Sequence, residues 1–153
     1  MADPSVPQEL PSWIADHIRR YRESNGKDGH MWDSTVAGGK GMIPTLLLTT
    51  TGRKSGRRLV LPLIYGKSGK NYVIIASKGG APAHPGWYVN LKAHPEVDVQ
   101  VAADKFKARA RTATAAERTQ LWKQMAALYP PYDDYQRRTQ REIPVVVLEP
   151  IGG

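Results

Sequence analysis

The chain has 153 residues, 41% hydrophobic and 24% charged, with no cysteine and a net charge of +8. That size suits one domain with a real core and excludes disulfide, iron–sulfur and thiol chemistry. No apolar run approaches the ~20 residues of a membrane-spanning helix, and the start, "MADPSVPQELPSW", lacks the pattern of a secretory leader, so a soluble cytoplasmic protein is expected.

Residues 1–10, with Pro4 and Pro7, read as a flexible arm ahead of a single domain over 11–153. "PSWIADHIRRYRESNG" reads as a helix, because Trp13, Ile14, His17, Ile18 and Tyr21 recur at three- and four-residue spacing and Asn25-Gly26 supplies a stop. His17 is expected to pack on that face. Residues 26–42, with five glycines, read as loop. Three strands, 42–50, 58–66 and 72–77, then form a meander joined by glycine-bearing turns, with Pro62 marking an edge or a bulge. A short helix over 87–94 precedes strands 96–102 and 105–113. The second of these carries an outward row of Lys105, Lys107, Arg109 and Arg111 by the period-two rule. A helix over 113–129 capped near Thr114, a helical turn after Pro130-Pro131, and a strand over 143–150 close the chain. The fold class is α+β, mainly β: one split β-barrel of about six antiparallel strands with peripheral helices. Strands do not alternate with long helices, so a doubly wound parallel sheet is not expected.

Charge placement narrows the chemistry. Between Ser34 and Pro95 there are nine Lys and Arg and no Asp or Glu, while the remainder holds thirteen basic and fourteen acidic residues. One segment therefore carries the whole positive excess and attracts anions. Within it, "TGRKSG" (51–56) puts two glycines, a guanidinium and an ammonium in one turn, and "ASKGG" (76–80) repeats the combination at another strand end. The spacing is not that of a P-loop, and neither G-x-G-x-x-G nor G-x-S-x-G occurs. The four histidines are scattered and form no metal motif, so no metal is expected. Aromatic residues gather in "GWYVN" (86–90) and "LYPPYDDY" (128–135), where Tyr132 and Tyr135 share a helical face and Tyr129 folds toward them.

"LLLTTTGRKSG", "PLIYG", "ASKGG…PGWYVNLKAHPEVDV" and "YPPYDDYQRRTQREIPVVVLEP" resemble the deazaflavin-dependent nitroreductase family. These are small split β-barrels that use reduced coenzyme F-420, and the resemblance covers residues 40–150. It implies that Thr51, Gly52, Arg53, Lys54 and Ser55 hold the coenzyme's phosphate and acidic tail, with Arg57 or Arg58 extending the contact. Pro62, Leu63, Ile64 and Tyr65 would line the deazaflavin ring. Ala76, Ser77, Lys78, Gly79 and Gly80 would meet the ring and its side chain, and Trp87, Tyr88, Asn90 and Leu91 would close the pocket. Tyr129, Tyr132 and Tyr135 match tyrosines near substrate in the family's nitroimidazole-reducing members, with Ile64 and Tyr65 on the same side. Ser77 and Tyr132 are the candidate proton donors, and no indispensable base is implied. The chain departs from the pattern at Leu59, where a basic residue is common, and at His94, where asparagine is.

The expected function is hydride transfer from reduced coenzyme F-420 to a small hydrophobic acceptor: a quinone, an activated enone or a nitro compound. Flavin mononucleotide in the same barrel is the nearer alternative. The remoter one is a non-catalytic basic module on RNA or an anionic membrane surface. The scatter of aromatics away from the basic row speaks against nucleic acid. The first helix, with Arg19, Arg20 and Arg22 beside apolar residues, is a candidate for contact with the inner face of the plasma membrane. A monomer or a homodimer is expected.

Overall fold

The computed structural model describes residues 10–151, so the arm expected over 1–10 lies, Leu10 apart, outside the described residues. Helix α1 (Ser12–Glu23) turns Ile18 and Tyr21, fully buried, onto Leu47 and Val60. The Tyr21 hydroxyl donates to the Thr45 carbonyl (2.9 Å) and accepts from the Ala102 N–H (2.8 Å), and burial pushes its pKa up to about 12. Both bonds therefore persist at any ordinary pH. After α1 the chain reverses at Gly26 (φ 88°), where a Cβ would lie 2.3 Å from the Ala102 Cα, so glycine is required by backbone angle and space alike.

Eight strands follow: β1 (Met31–Asp33), β2 (Met42–Thr51), β3 (Arg58–Ile64), β4 (Gly66–Ser68), β5 (Asn71–Ile75), β6 (Glu96–Val101), β7 (Asp104–Thr112) and β8 (Val145–Pro150). Between them lie α2 (Gly86–Ala93), α3 (Ala115–Leu128) and α4 (Pro131–Arg137). Every pairing is antiparallel, in the order β1-β2-β6-β7-β8-β5-β4, with β3 beside β2. The six expected strands are all present. β1 and β4 are additional, and the expected loop over 26–42 contains β1 and a single 3₁₀ turn, Ser34–Ala37, capped by the Asp33 carboxylate.

The expected meander is only half formed. β2 and β3 pair over seven residues, but β5 pairs with β4 and β8 and not with β3. Pro62 offers no N–H to a further strand. Just beyond β3, Tyr65 continues the pairing, its N–H donating to the Pro44 carbonyl (3.3 Å), and on the barrel side shared with Leu61 and Leu63 it buries its ring against Tyr72, its hydroxyl 2.8 Å from the His30 Nε2. β3 and β5 approach without a ladder, and the barrel is open along that seam.

The closing run "VVVL" is apolar throughout because β8 is covered on both faces. Val146 and Leu148 join Leu46, Leu48, Ile74, Val97 and Val99 inside the barrel. Val145 and Val147 face outward under Leu121 and Met125 of α3 and Tyr129 and Tyr132 at α4. Each such side chain contributes about 1.5–3 kcal/mol of apolar burial.

The outward row on β7 is interleaved with carboxylates. Lys107 faces Glu96 (3.7 Å) and Asp98 (3.6 Å), and Arg111 grips Glu117 through two bonds of 2.6 and 2.9 Å and reaches Glu149 (3.3 Å). Glu117 also closes the capping box of α3 with Thr114, so one carboxylate ties β7 to the helix start. The Arg111 hydrogen bonds, then the Thr114 N–H, hold its pKa down to about 2 from the ordinary 4.5. A depressed carboxyl stabilises the fold above its unfolded value and loses that contribution as pH falls through the folded one. Denaturant midpoints should therefore drop between pH about 4.5 and 2, and Glu117→Gln should flatten that part of the acid limb. An unchanged limb in the variant contradicts the assignment.

Candidate functional site

A cleft of about 430 Å³ occupies the seam. One side is Pro62, Leu63 and Ile64 of β3, and the opposite side is Ile75 of β5 with Ser77, Lys78 and Gly79 just beyond it. Trp87 of α2 and Tyr129, Tyr132 and Tyr135 complete the predicted part of the lining. A slightly larger hollow, about 480 Å³, lies over outward residues of β2, β6 and β7, but its rim sets Lys107 on Asp98 and no predicted site residue lines it. The seam is the better candidate, because it combines apolar walls with a few polar groups.

The three tyrosines form one wall. Ring centroids are 4.9 Å apart for Tyr129 and Tyr132, and Tyr135 lies 6.2 Å from each. The Tyr129 hydroxyl donates to the Ala37 carbonyl (3.2 Å) and lies 3.0 Å from that of Tyr135. No hydrogen-bond partner meets the Tyr132 hydroxyl among the described residues. Burial above all, then the neighbouring phenols, pushes the pKa of Tyr132 up; burial and the Tyr135 bond do the same for Tyr129. Both stay protonated and can only donate or share a proton.

The 77–80 turn is pressed against this wall. Gly80 (φ 82°) would place a Cβ 2.6 Å from the Tyr135 carbonyl oxygen, so the approach of turn to helix depends on its missing side chain. Ala76 is core, under the turn.

The 51–56 turn stands beside the cleft and is joined to it by α2. Trp87 lines the cleft, and Asn90, one helical turn on, is buried beneath the glycine turn. The Asn90 Oδ1 accepts from the Arg53 backbone N–H (3.2 Å) and guanidinium (2.9 Å), and its amide donates to Thr50 (3.4 Å). The Gly52 N–H donates to the Arg57 carbonyl (2.8 Å) and Gly56 adopts φ 71°. The Lys54 and Ser55 N–H groups meet no acceptor among the described residues, and both side chains are exposed. Arg58 is already engaged: it donates to the Thr51 hydroxyl (2.7 Å) and pairs with Asp98.

Apart from Ala76 in the core and Gly80 against the tyrosine wall, the predicted residues fall into three groups. Pro62, Leu63, Ile64, Ser77, Lys78, Gly79, Trp87, Tyr129, Tyr132 and Tyr135 meet in the cleft. Thr51, Gly52, Arg53, Lys54, Ser55, Arg57 and Arg58 form the adjoining turn with Asn90 at its base. Tyr65, Tyr88 and Leu91 are not brought to the lining: all three are buried in the barrel core, Tyr88 with its hydroxyl 2.8 Å from that of Thr112. The sequence reading missed the roof. Trp13, Ile14 and His17 of α1 and Trp32 of β1 also line the cleft, with Trp13 stacked on Trp32 at 6.2 Å and 7°. His17 does pack on the helix face, yet it also borders the cleft, 3.4 Å from the Thr45 hydroxyl, and burial lowers its pKa.

The profile of the F420H2-dependent quinone reductases matches residues 13–150. The chain belongs to this family. An F420H2-dependent quinone reductase of Mycobacterium tuberculosis is 40% identical over 92% of this chain and 97% of its own. The solved structure of an F420-H2-dependent reductase is 44% identical, with a TM-score of 0.65 over 69% of this chain and 94% of its own. A further solved structure, described only as a domain-swapped dimer, is 38% identical with a TM-score of 0.68, covering 90% of this chain and 98% of its own. The enzyme is therefore an oxidoreductase whose cofactor is coenzyme F-420. The residues present fit that group. An apolar cleft suits a flat ring, and the Gly52–Gly56 turn beside it has free N–H groups and exposed cations for an anionic tail.

Asn90→Ala removes the acceptor that seats Arg53. Coenzyme affinity, read by fluorescence titration, should fall about tenfold, the worth of one or two charge-assisted hydrogen bonds. Wild-type affinity would place the anion elsewhere.

Proposed function

We propose that the enzyme holds reduced coenzyme F-420 with its tail on the 51–56 turn and its ring in the seam, and reduces a planar electron-poor acceptor stacked beside it. A quinone is the first candidate, with activated enones and nitro compounds of the same class. One observation carries the reading: α2 joins an anion-ready turn to an aromatic cleft through Asn90 and Trp87. When bound, the coenzyme supplies a hydride from its C5.

The chain's own residues bind, orient and exclude water. Lys54 and Arg53, with the N–H groups of Lys54 and Ser55, hold the tail. Pro62, Leu63 and Ile64 give one apolar face for the ring, and Trp87 closes its edge. Tyr132 donates a hydrogen bond from its hydroxyl to the acceptor oxygen and gives up the proton that the reduced product needs; Ser77 is the alternative donor. Tyr129 and Tyr135 hold Tyr132 in place as ring neighbours. α1 and Trp32 roof the cleft and keep out solvent.

The basic-module reading loses its footing on β7, where acidic residues alternate with the cations. α1 spends its buried face on the sheet and pairs Arg19 and Arg20 with Asp16, Glu23 and Asp28. No described helix is long and apolar enough to cross a membrane. A cytoplasmic homodimer is the assembly we favour, supported by the domain-swapped dimer described for a structure 38% identical to this chain. Light scattering and cell fractionation test it: a monomer, or recovery in washed membranes, rejects it.

Lys54→Ala should weaken coenzyme binding about tenfold with little loss of turnover at saturation. Tyr132→Phe should do the reverse, lowering kcat by about 10²-fold with near-normal affinity for the coenzyme. A titration of oxidised coenzyme F-420 beside flavin mononucleotide, then a quinone and enone panel, tests the whole. Equal affinity for both cofactors, or the two variants exchanging phenotypes, overturns it.

A further inference from the structure

We propose that Arg141 is a positioning residue: it holds the Ser77–Gly80 turn so that two backbone N–H groups are aimed at a carbonyl oxygen of the planar ring in the cleft. The inference rests on the reading of the seam as the ring site. Arg141 follows α4 and has no carboxylate partner among the described residues. Its guanidinium instead takes four acceptors from one loop. Nε donates to the Ala81 carbonyl (2.8 Å), Nη2 to the Ser77 carbonyl (2.8 Å), and Nη1 to the Ala76 carbonyl (3.3 Å) and the His84 Nδ1 (3.0 Å).

Peptide geometry converts that grip into an aim. In a trans peptide the C=O of one residue and the N–H of the next point in opposite directions. The carbonyls of Ala76 and Ser77 point at Arg141, so the N–H groups of Ser77 and Lys78 point away from it. Both residues line the cleft, and neither N–H meets an acceptor among the described residues. The cation on the carbonyl side also favours this orientation of the two peptide dipoles and leaves their positive ends outward.

The turn needs such a clamp. Lys78, Gly79 and Gly80 follow one another at φ 46°, 62° and 82°, and the first is a non-glycine residue in the left-handed region. An L residue resists that conformation, so the surroundings must impose it. Arg138 adds only a long bond to the Gly79 carbonyl (3.5 Å). The shared chemistry of a ligand on these N–H groups is a conjugated carbonyl, which the coenzyme ring and a quinone both carry.

The test uses the whole enzyme with Arg141→Ala and Arg141→Lys. Removing the clamp should weaken binding of oxidised coenzyme, or raise the quinone KM, about tenfold, and which of the two moves identifies the carbonyl's owner. In the ligand-free protein, amide exchange at Gly80 and Ala81, whose N–H groups donate to the Ser77 and Lys78 carbonyls (2.9 and 3.1 Å), should quicken at least about tenfold while Val146 and Val147 in β8 keep their wild-type rates. Lysine reaches fewer of the four acceptors and should restore part of both effects. Wild-type affinity and KM in the alanine variant overturn the proposal, as does exchange that quickens equally in β8. Should the alanine variant not fold, the lysine variant is read in the same way, with a several-fold loss expected and wild-type values overturning. Wild-type enzyme that binds no coenzyme refutes the seam reading instead.

Discussion

The missing ladder between β3 and β5 is the constraint on which this molecule turns. A barrel that closed there would satisfy every backbone group and leave no room for a ring. Pro62 removes an N–H from the β3 edge, and Tyr65 buries its ring inside the barrel against His30 and Tyr72. The two edges then stand close enough to line one cavity and too far apart to pair. The tyrosine wall and α1 cover what the open seam exposes, and the same apolar contacts that seal the barrel form the cleft.

Electrostatics divides the surface in a way that net charge hides. Arg19 and Arg20 of α1 and Lys107 and Arg111 of β7 are matched by carboxylates on neighbouring strands or turns of helix, which weakens the field of those regions. Between Ser34 and Pro95 no acid exists to do this. The contrast is sharpest within six residues: Arg58 reaches out of the segment to Asp98, whereas the adjacent turn keeps Lys54 exposed and seats Arg53 on a neutral amide. A neutral anchor fixes the guanidinium without cancelling its charge, which a carboxylate would do.

The parts legible in the sequence were local. The Gly52–Gly56 turn, the Thr114 cap and the Tyr129–Tyr135 cluster announce themselves within a few residues, because backbone angle, helix start and helical face are set by near neighbours. What stayed hidden depends on distant partners. The period of Trp13, Ile14, His17, Ile18 and Tyr21 says that α1 has a buried face, yet not that Ile18 and Tyr21 meet the sheet while Trp13 and His17 roof a cleft. The apolar runs 58–66 and 72–77 favour strands without saying that β5 chooses β8. The family resemblance implied a pocket role for Tyr65, yet strand alternation puts it with Leu61 and Leu63 on the face turned to the core. Arg141 lay unnoticed among several basic residues, since only the fold shows which carbonyls it meets.

The site can be understood as two rigid attachments to one small helix and one loop. Asn90 couples α2 to the anion turn, Trp87 couples it to the cleft, and Gly80 lets the second turn press on the tyrosine wall. Tail and ring are therefore registered through backbone elements and not through long side chains. Rigidity of this kind matters more here than a strong acid or base. Buried phenols with raised pKa values are poor proton donors on driving force alone, and they become useful only if the acceptor oxygen arrives within hydrogen-bond reach. Positioning, supplied by the seam and its two turns, is the catalytic contribution this protein is built to make.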